Sequence, residues 1–142
     1  MISFLVATTG RPTLAATLRS IKCWPGDEIL VVGHAEWPGD IVPPGIRYVP
    51  CAPGGDWGHT ERNIATPMCR GRYIAHIDDD DVYAPGVRAA MADAVQQTPD
   101  RPIVFRMQYK NGTVLWGDQE LRCGNVGTPM FLLPNVPKMI GT

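Results

Sequence analysis

The chain has 142 residues, of which 44% are hydrophobic and 19% charged, so it is long and apolar enough for one folded domain and unlike a disordered tail. Its net charge of −1, from 13 basic and 14 acidic residues, argues against a nucleic-acid-binding surface, which usually carries excess positive charge. No stretch reaches the roughly 18 apolar residues of a membrane span, and no basic residue precedes the first apolar run, so we expect neither a membrane span nor a signal peptide.

Strands and helices alternate along most of the chain. Short apolar runs predict strands, and apolar residues three or four positions apart predict helices, as Leu14, Leu18 and Ile21 do for the first helix. The Gly- and Pro-rich segment at 34–58 predicts loop, apart from one short strand within it. The predicted elements are a strand at 2–7, a helix at 12–21, strands at 27–33 and 46–50, a helix at 60–69, a strand at 72–77, a helix at 85–98, a hairpin formed by 103–109 and 113–116, and a strand at 130–134.

This order of elements predicts an α/β domain with a mainly parallel sheet flanked by helices and a small antiparallel hairpin at one side. Ligands of such sheets bind beyond the carboxyl ends of the strands. The loops after the first and fourth predicted strands, "TTGRP" and "DDDDVYAP", would open on the same edge. We therefore expect the functional site between these two loops.

Four consecutive aspartates, Asp78 to Asp81, follow the fourth predicted strand, where their like charges repel. If the extended geometry continued, Asp78 and Asp80 would point to one side about 7 Å apart, and Asp79 and Asp81 to the other. A divalent cation would remove the repulsion, and carboxylate oxygens suit Mg²⁺ or Mn²⁺ shared with substrate phosphates. The alternative is a solvated acidic surface with Asp81 near the start of the next helix. The position at the end of a buried strand favours the metal site.

Cysteine and histidine side chains are also potential metal ligands. The four cysteines show no C-x-x-C spacing, so we expect buried thiols in a cytoplasmic protein rather than a zinc site or a disulfide framework. His76 lies two residues before Asp78, and we expect it to pack within the strand; the alternative is that it joins the aspartates as a ligand.

Four stretches carry a family resemblance: "ISFLVATTGRPTLAATLRSI", "DEILVVG", "GHTERNIATPMCRGRYIAHIDDDDVYAPG" and "GNVGTPMFLLP". In these stretches, which cover most of residues 2–134, the chain resembles family 2 glycosyltransferases with the GT-A fold. The third stretch is the most specific, because it joins a helix with Arg-Asn near its start to a "GxYIxxxDxDD" strand end. The resemblance implies a single domain at 1–142, with a nucleotide-sugar-binding half at about 1–100 and part of an acceptor-side half at about 101–142.

The resemblance implies metal-dependent, inverting transfer of a sugar from a nucleoside-diphosphate sugar, with UDP-sugars favoured, to an unknown acceptor hydroxyl. It implies that Asp80 contacts Mn²⁺ or Mg²⁺ and the diphosphate, and that Asp78 shares the metal and lies closer to the ribose. For Arg62 the alternative is an exposed helix arginine. The predicted substrate-binding residues are Thr8, Thr9, Arg11, Asp56, Arg62, Asp78 and Asp79.

The chain departs from the family pattern after its second predicted strand. The family usually has an acidic residue there that holds the nucleotide, whereas this chain has Gly33 and His34. Asp56, beside Trp57, is our hypothesis for a residue that compensates by contacting the base.

The catalytic base is the second departure. An inverting transferase needs a carboxylate within reach of the acceptor hydroxyl. In the family that residue lies beyond the acceptor-side segment, and Asp118 and Glu120 are the late carboxylates of this chain that could serve. The alternative is a truncated chain that binds a nucleotide sugar but is catalytically incomplete. A nucleotidyltransferase would need a more basic, Gly-rich loop than "TTGRP", and a glycosidase would need two carboxylates and no metal.

Overall fold

A computed structural model describes residues 1–34 and 45–136, so the predicted loop at 34–58 lies partly outside the described residues. Two single-turn 3₁₀ helices accompany the longer elements, at Thr66–Met68 and Thr128–Met130. The helices are α1 (Leu14–Ser20), α2 (His59–Ala65) and α3 (Val87–Gln97). The strands are β1 (Ile2–Thr8), β2 (Glu28–Gly33), β3 (Arg47–Pro50), β4 (Tyr73–Asp78), β5 (Ile103–Val104), β6 (Met107–Gln108), β7 (Val114–Leu115) and β8 (Phe131–Pro134).

The main sheet has six strands in the order β3-β2-β1-β4-β8-β5. The first four run parallel, β8 is antiparallel to β4, and β5 is antiparallel to β8. The predicted α/β fold with a mainly parallel sheet is therefore confirmed, as is the final strand. The antiparallel hairpin is also present, but it joins only β6 to β7, because Ile103 and Val104 pair with β8 instead.

Strand β1 is the centre of the hydrophobic core, and all seven of its residues are buried. Phe4 and Val6 face one cluster with α1 and α3, while Leu5 faces a second cluster with α2. Helices thus cover both faces of the parallel sheet, which explains why the strand reads as a continuous apolar run rather than an alternating one.

The predicted helix at 60–69 is regular only in its first part. Although Thr60 at the start of the predicted helix is a residue type that often forms an N-cap, the helix begins at His59, and the N-cap is Gly58, whose φ of 81° suits a glycine. The helix gives way to a 3₁₀ turn at Thr66–Met68, where Pro67 prevents a regular helix from continuing.

The cysteines are only partly where we expected them. All four are free, and Cys69 is buried, but Cys23 and Cys123 are exposed and Cys51 is half-buried. The prediction of four buried thiols is wrong for the exposed pair. Both lie outside the strands and helices.

The path of the chain through the sheet fixes where a crevice forms. From β1 the chain moves outward through β2 to β3, then crosses back to place β4 on the opposite side of β1. The loops that leave β1 and β4 therefore lie side by side, and the space beyond these two strand ends is where parallel α/β sheets bind ligands. No helix in the described ranges is both long and apolar enough to cross a membrane.

A buried ion pair links α3 to the residue that precedes β2, at the amino end of the parallel strands. Arg88 Nε donates a 2.6 Å hydrogen bond to the fully buried carboxylate of Asp27, and its guanidinium lies 4.3 Å from the ring centre of Trp24. Asp27 also accepts hydrogen bonds from the backbone N–H groups of Ile2 and Trp24. Burial opposes ionisation of Asp27, but these hydrogen bonds, led by that of Arg88, outweigh it and lower its pKa.

Replacing Arg88 should therefore strongly destabilise the fold. We expect Arg88→Met to lower the free energy of unfolding by about 3 kcal/mol, because it leaves the Asp27 carboxylate buried without its counter-charge. Urea unfolding monitored by circular dichroism measures the change. The matched control is Arg72→Met, which removes the solvent-exposed pair with Asp100 and should leave stability almost unchanged. Equal effects of the two substitutions would contradict the role assigned to the buried pair.

Candidate functional site

The four aspartates form a turn rather than an extension of β4. The strand ends at Asp78, and the backbone N–H of Asp81 donates a 3.2 Å hydrogen bond to the carbonyl oxygen of Asp78. The expectation that extended geometry places Asp78 and Asp80 on one face is therefore wrong. The turn sends neighbouring carboxylates into different surroundings: Asp79 is 4% exposed, whereas the Asp80 side chain is 50% exposed.

Asp79 joins the β4 turn to the loop that follows β1. Its Oδ2 accepts hydrogen bonds from the Thr8 hydroxyl at 2.7 Å and from the Thr9 backbone N–H at 3.0 Å. The Thr8 hydroxyl oxygen in turn accepts a 2.9 Å hydrogen bond from the Gly10 N–H. These contacts hold the two loops of the crevice together.

Arg11 and Asp80 face each other across the mouth of this crevice. Arg11 Nη1 lies 2.6 Å from Asp80 Oδ2 and 3.6 Å from Asp79 Oδ1, and the Arg11 and Asp80 side chains are each about half exposed. Because solvent reaches both groups, their pairing costs little to exchange for contacts with a ligand. The crevice thus presents one accessible cation and one accessible carboxylate side by side.

Arg62 is buried beside the same crevice, so the alternative of an exposed helix arginine is wrong. It is 7% exposed, forms an ion pair with Asp78, and donates a 2.9 Å hydrogen bond to the carbonyl oxygen of Trp57. Its Nε has no hydrogen-bond partner among the described residues. Burial raises the pKa of Asp78 even though Arg62 opposes that shift.

Asp81 and His76 complete the titratable groups around the turn. Burial, then the charges of Asp78, Asp80 and Asp79, raise the pKa of Asp81 to about 6. Burial and the nearby charge of Arg62 lower the pKa of His76 to about 4, so this histidine is neutral near pH 7 and packs within β4 as expected. Asp81 is not among the predicted site residues, although it belongs to the same acidic run.

The structure explains why no acidic residue stands at the end of β2. A Cβ atom on Gly33 would overlap the carbonyl oxygen and the methyl group of Thr8 on the adjacent strand. The next residue, His34, contacts Glu61 instead of pointing freely into the crevice. Asp56 accepts hydrogen bonds from the N–H and hydroxyl of Thr60 in the first turn of α2, and these bonds lower its pKa. Its proposed contact with a base stays a prediction.

A large cleft opens beside the turn, between α3 and the β6–β7 hairpin. Its volume is about 1040 Å³, and Asp80 and Asp81 are the carboxylates among its described lining residues. Aromatic and basic side chains, including Phe105, Tyr109 and Lys110, line the same space. This cleft adjoins the strand-end crevice and is large enough for a sugar-sized molecule.

Asp118 and Glu120, the predicted base candidates, do not line this cleft. Asp118 accepts hydrogen bonds from the Glu120 N–H, from the Asn125 side chain and from Arg122. These contacts lower its pKa, led by the bond from the Glu120 backbone, which is the opposite of what a base near neutral pH requires.

The family model described as glycosyl transferase family 2 matches residues 40–142, which is most of the chain. The chain belongs to glycosyl transferase family 2. No curated protein gives a significant match. The family resemblance that the acidic strand end indicated is thereby confirmed.

Solved structures agree with this family at the level of the fold. S. aureus TarS 1–349 is 14% identical, with a TM-score of 0.75 over 94% of this chain and 47% of that one. TarS 1–349 in complex with UDP-GlcNAc is also 14% identical, with a TM-score of 0.72 over 94% of this chain and 45% of that one. The bifunctional IspDF of Campylobacter jejuni is more distant, at 13% identity and a TM-score of 0.61 over 94% of this chain and 41% of that one. The chain therefore spans about half the length of TarS 1–349.

Asp79 and Asp80 should respond differently to substitution in this family 2 domain. Asp79→Ala removes the acceptor for the Thr8 hydroxyl and the Thr9 N–H, so we expect a loss of about 1–3 kcal/mol of unfolding free energy. Asp80→Ala, the matched control, should leave stability almost unchanged because its side chain is half exposed. Chemical denaturation of both variants provides the measurement. A stable Asp79→Ala protein would show that the two loops do not need this carboxylate.

Proposed function

We propose that the chain is the donor-binding part of a glycosyltransferase that moves a sugar from a UDP-sugar to an acceptor hydroxyl with inversion. The observation that carries this proposal is the exposed Arg11–Asp80 pair, which lies at the strand-end crevice of a family 2 domain. TarS has been solved in complex with UDP-GlcNAc and with UDP, which supports a UDP-sugar as the first donor to test.

The donor diphosphate would lie between the loops that follow β1 and β4. Arg11 can turn from Asp80 toward phosphate oxygens, where charge-assisted hydrogen bonds would hold it. The Thr8 hydroxyl and the Thr9 N–H are already engaged by Asp79, so these two residues would shape the pocket wall rather than bind phosphate. Arg62 would keep Asp78 in place and contribute positive charge near the nucleotide.

Asp80 and Asp78 are the residues that would hold Mn²⁺ or Mg²⁺. Their donor set fits, because both offer carboxylate oxygens, the ligands that these hard cations prefer, and the Asp80 side chain is accessible to solvent. When bound, the cation would act as a Lewis acid toward the negative charge that develops on the leaving diphosphate.

The acceptor would occupy the cleft between α3 and the hairpin. An acceptor hydroxyl oxygen would attack the anomeric carbon as the bond from that carbon to the diphosphate oxygen breaks, and the diphosphate would leave with the electron pair. Arg11 would stabilise the charge on the departing group, and a carboxylate would accept the hydroxyl proton. Aromatic side chains of the cleft, such as Tyr109, offer surfaces for a sugar ring.

One observation favours a second candidate function, which is donor binding without transfer by this chain alone. Asp118 and Glu120 do not line the cleft. Of the described residues, the carboxylates that do line the cleft are Asp80 and Asp81. In our proposal Asp80 binds the donor and its metal. Asp81, whose pKa is raised to about 6, is then the carboxylate left at the cleft, and a base supplied from outside the described residues is the alternative.

A thermal-shift screen of UDP-, GDP- and TDP-sugars tests donor binding. With Mn²⁺ present and UDP-sugar at about 100 times its Kd, ligand binding to the folded state adds about 2.7 kcal/mol, which should raise the Tm by roughly 5 °C or more. Asp80→Asn should abolish the shift, whereas Asp93→Asn, which alters an exposed carboxylate on α3, should preserve it. A full response from Asp80→Asn would refute the proposed donor site.

Release of UDP separates transfer from binding alone. For an active transferase we expect metal-dependent UDP release in the presence of a panel of hydroxyl acceptors, lost in Asp80→Asn and retained in Asp118→Asn and Glu120→Gln, because the last two residues lie away from the cleft. A coupled assay for free UDP measures it. Donor binding without any UDP release would support the second candidate, and loss of activity in Asp118→Asn with unchanged donor binding would restore Asp118 as the base.

A further inference from the structure

Three potential metal ligands meet on the side of the sheet next to β3. His34 follows β2, Cys51 follows β3, and Glu61 lies in the first turns of α2. One ligand atom from each residue lies within 4.8 Å of the other two. The ends of β2 and β3 are joined here by a 3.0 Å hydrogen bond from the Cys51 N–H to the Gly33 carbonyl oxygen. The backbone therefore holds the His34 and Cys51 side chains next to each other.

Glu61 gives an independent reason to expect a ligand. Its side chain is only 4% exposed, and its Oε1 contacts His34 Nε2. Its Oε2 is buried and has no hydrogen-bond partner among the described residues. Leaving a buried carboxylate oxygen unpaired is costly, so a cation at this position would remove a penalty that the polypeptide alone leaves in place.

We propose that His34, Cys51 and Glu61 bind a zinc ion. A thiolate, an imidazole nitrogen and a carboxylate oxygen form a mixed donor set that suits Zn²⁺ and disfavours Mg²⁺ or Mn²⁺. Bonds of about 2.0–2.3 Å in a tetrahedral site place ligand atoms roughly 3.5 Å apart, so small side-chain movements would close the cluster around the ion. Three protein ligands leave the fourth position for water or a bound molecule.

This site shares no ligand with the carboxylates Asp78 and Asp80, and it does not depend on the glycosyltransferase proposal. Zinc would link the ends of β2 and β3 to α2. Because Glu61 is adjacent to Arg62, which pairs with Asp78, the ion would also fix the helical turn that carries this arginine. The spacing of the ligands along the chain follows no zinc motif, since each comes from a different element.

Metal binding to the full chain tests the proposal. After chelator treatment, we expect the protein to bind a single equivalent of Zn²⁺ in competition with a chromophoric chelator. Co²⁺ in place of zinc should give intense visible bands of tetrahedral cobalt together with a thiolate-to-cobalt charge-transfer band. Zinc should also raise the Tm. Absence of stoichiometric zinc binding, or a cobalt spectrum without the thiolate band, would overturn the site.

Variants assign the ligands. Cys51→Ser and His34→Gln should each weaken zinc binding by more than roughly 10–100-fold, because losing even a residue that only hydrogen-bonds to a metal ligand costs that much. Cys51→Ser should also lose the charge-transfer band. Cys123→Ser removes an exposed thiol and should change neither result. Asp80→Asn should likewise retain full zinc affinity, which separates this site from the donor site. Equal loss in Cys51→Ser and Cys123→Ser, or unchanged affinity in Cys51→Ser, would refute the assignment.

Discussion

The bond between the Asp79 carboxylate and the Thr8–Thr9 segment is the constraint on which the crevice depends. Parallel strands β1 and β4 lie side by side, but the loops that leave them would otherwise be free to separate. A buried carboxylate that accepts from a hydroxyl and a backbone N–H fixes their relative position. Arg11 and Asp80, which lie further along the two loops, are consequently held in contact at the mouth of the crevice.

The same turn explains how the fold tolerates four adjacent negative charges. Each of the first three aspartates has a different partner: Asp78 pairs with Arg62, Asp79 accepts from the β1 loop, and Asp80 pairs with Arg11. Asp81 has no ion pair among the described residues, and burial together with the charges of Asp78, Asp80 and Asp79 raises its pKa to about 6. Repulsion is thus spread over separate environments, and the exposed Asp80 is the carboxylate best placed to exchange its partner for a metal and a phosphate.

The sequence predicts the sheet well because continuous apolar runs have few alternatives to buried parallel strands. Because the carboxyl ends of parallel strands lie at one edge of a sheet, the sequence also predicts which loops meet. Thr8, Thr9, Arg11, Asp79 and Asp80 do come together. It does not predict the turn at Asp78, because hydrogen bonds between distant loops, rather than local propensity, end the strand. Likewise, the burial of Arg62 and the approach of His34, Cys51 and Glu61 depend on how α2 packs on the sheet, which residue spacing does not encode.

The crowding at Gly33 limits how the proposed donor preference of this domain could be re-engineered. Grafting the acidic residue that other family members carry after their second strand would force a side chain against the backbone of Thr8 and push two central strands apart. The displacement of Thr8 would also move the loop after β1, which carries Arg11. Attempts to change the proposed nucleotide selectivity should therefore leave position 33 as glycine and vary the segment around Asp56 and Trp57, where Trp57 is 93% exposed and free to accept new neighbours.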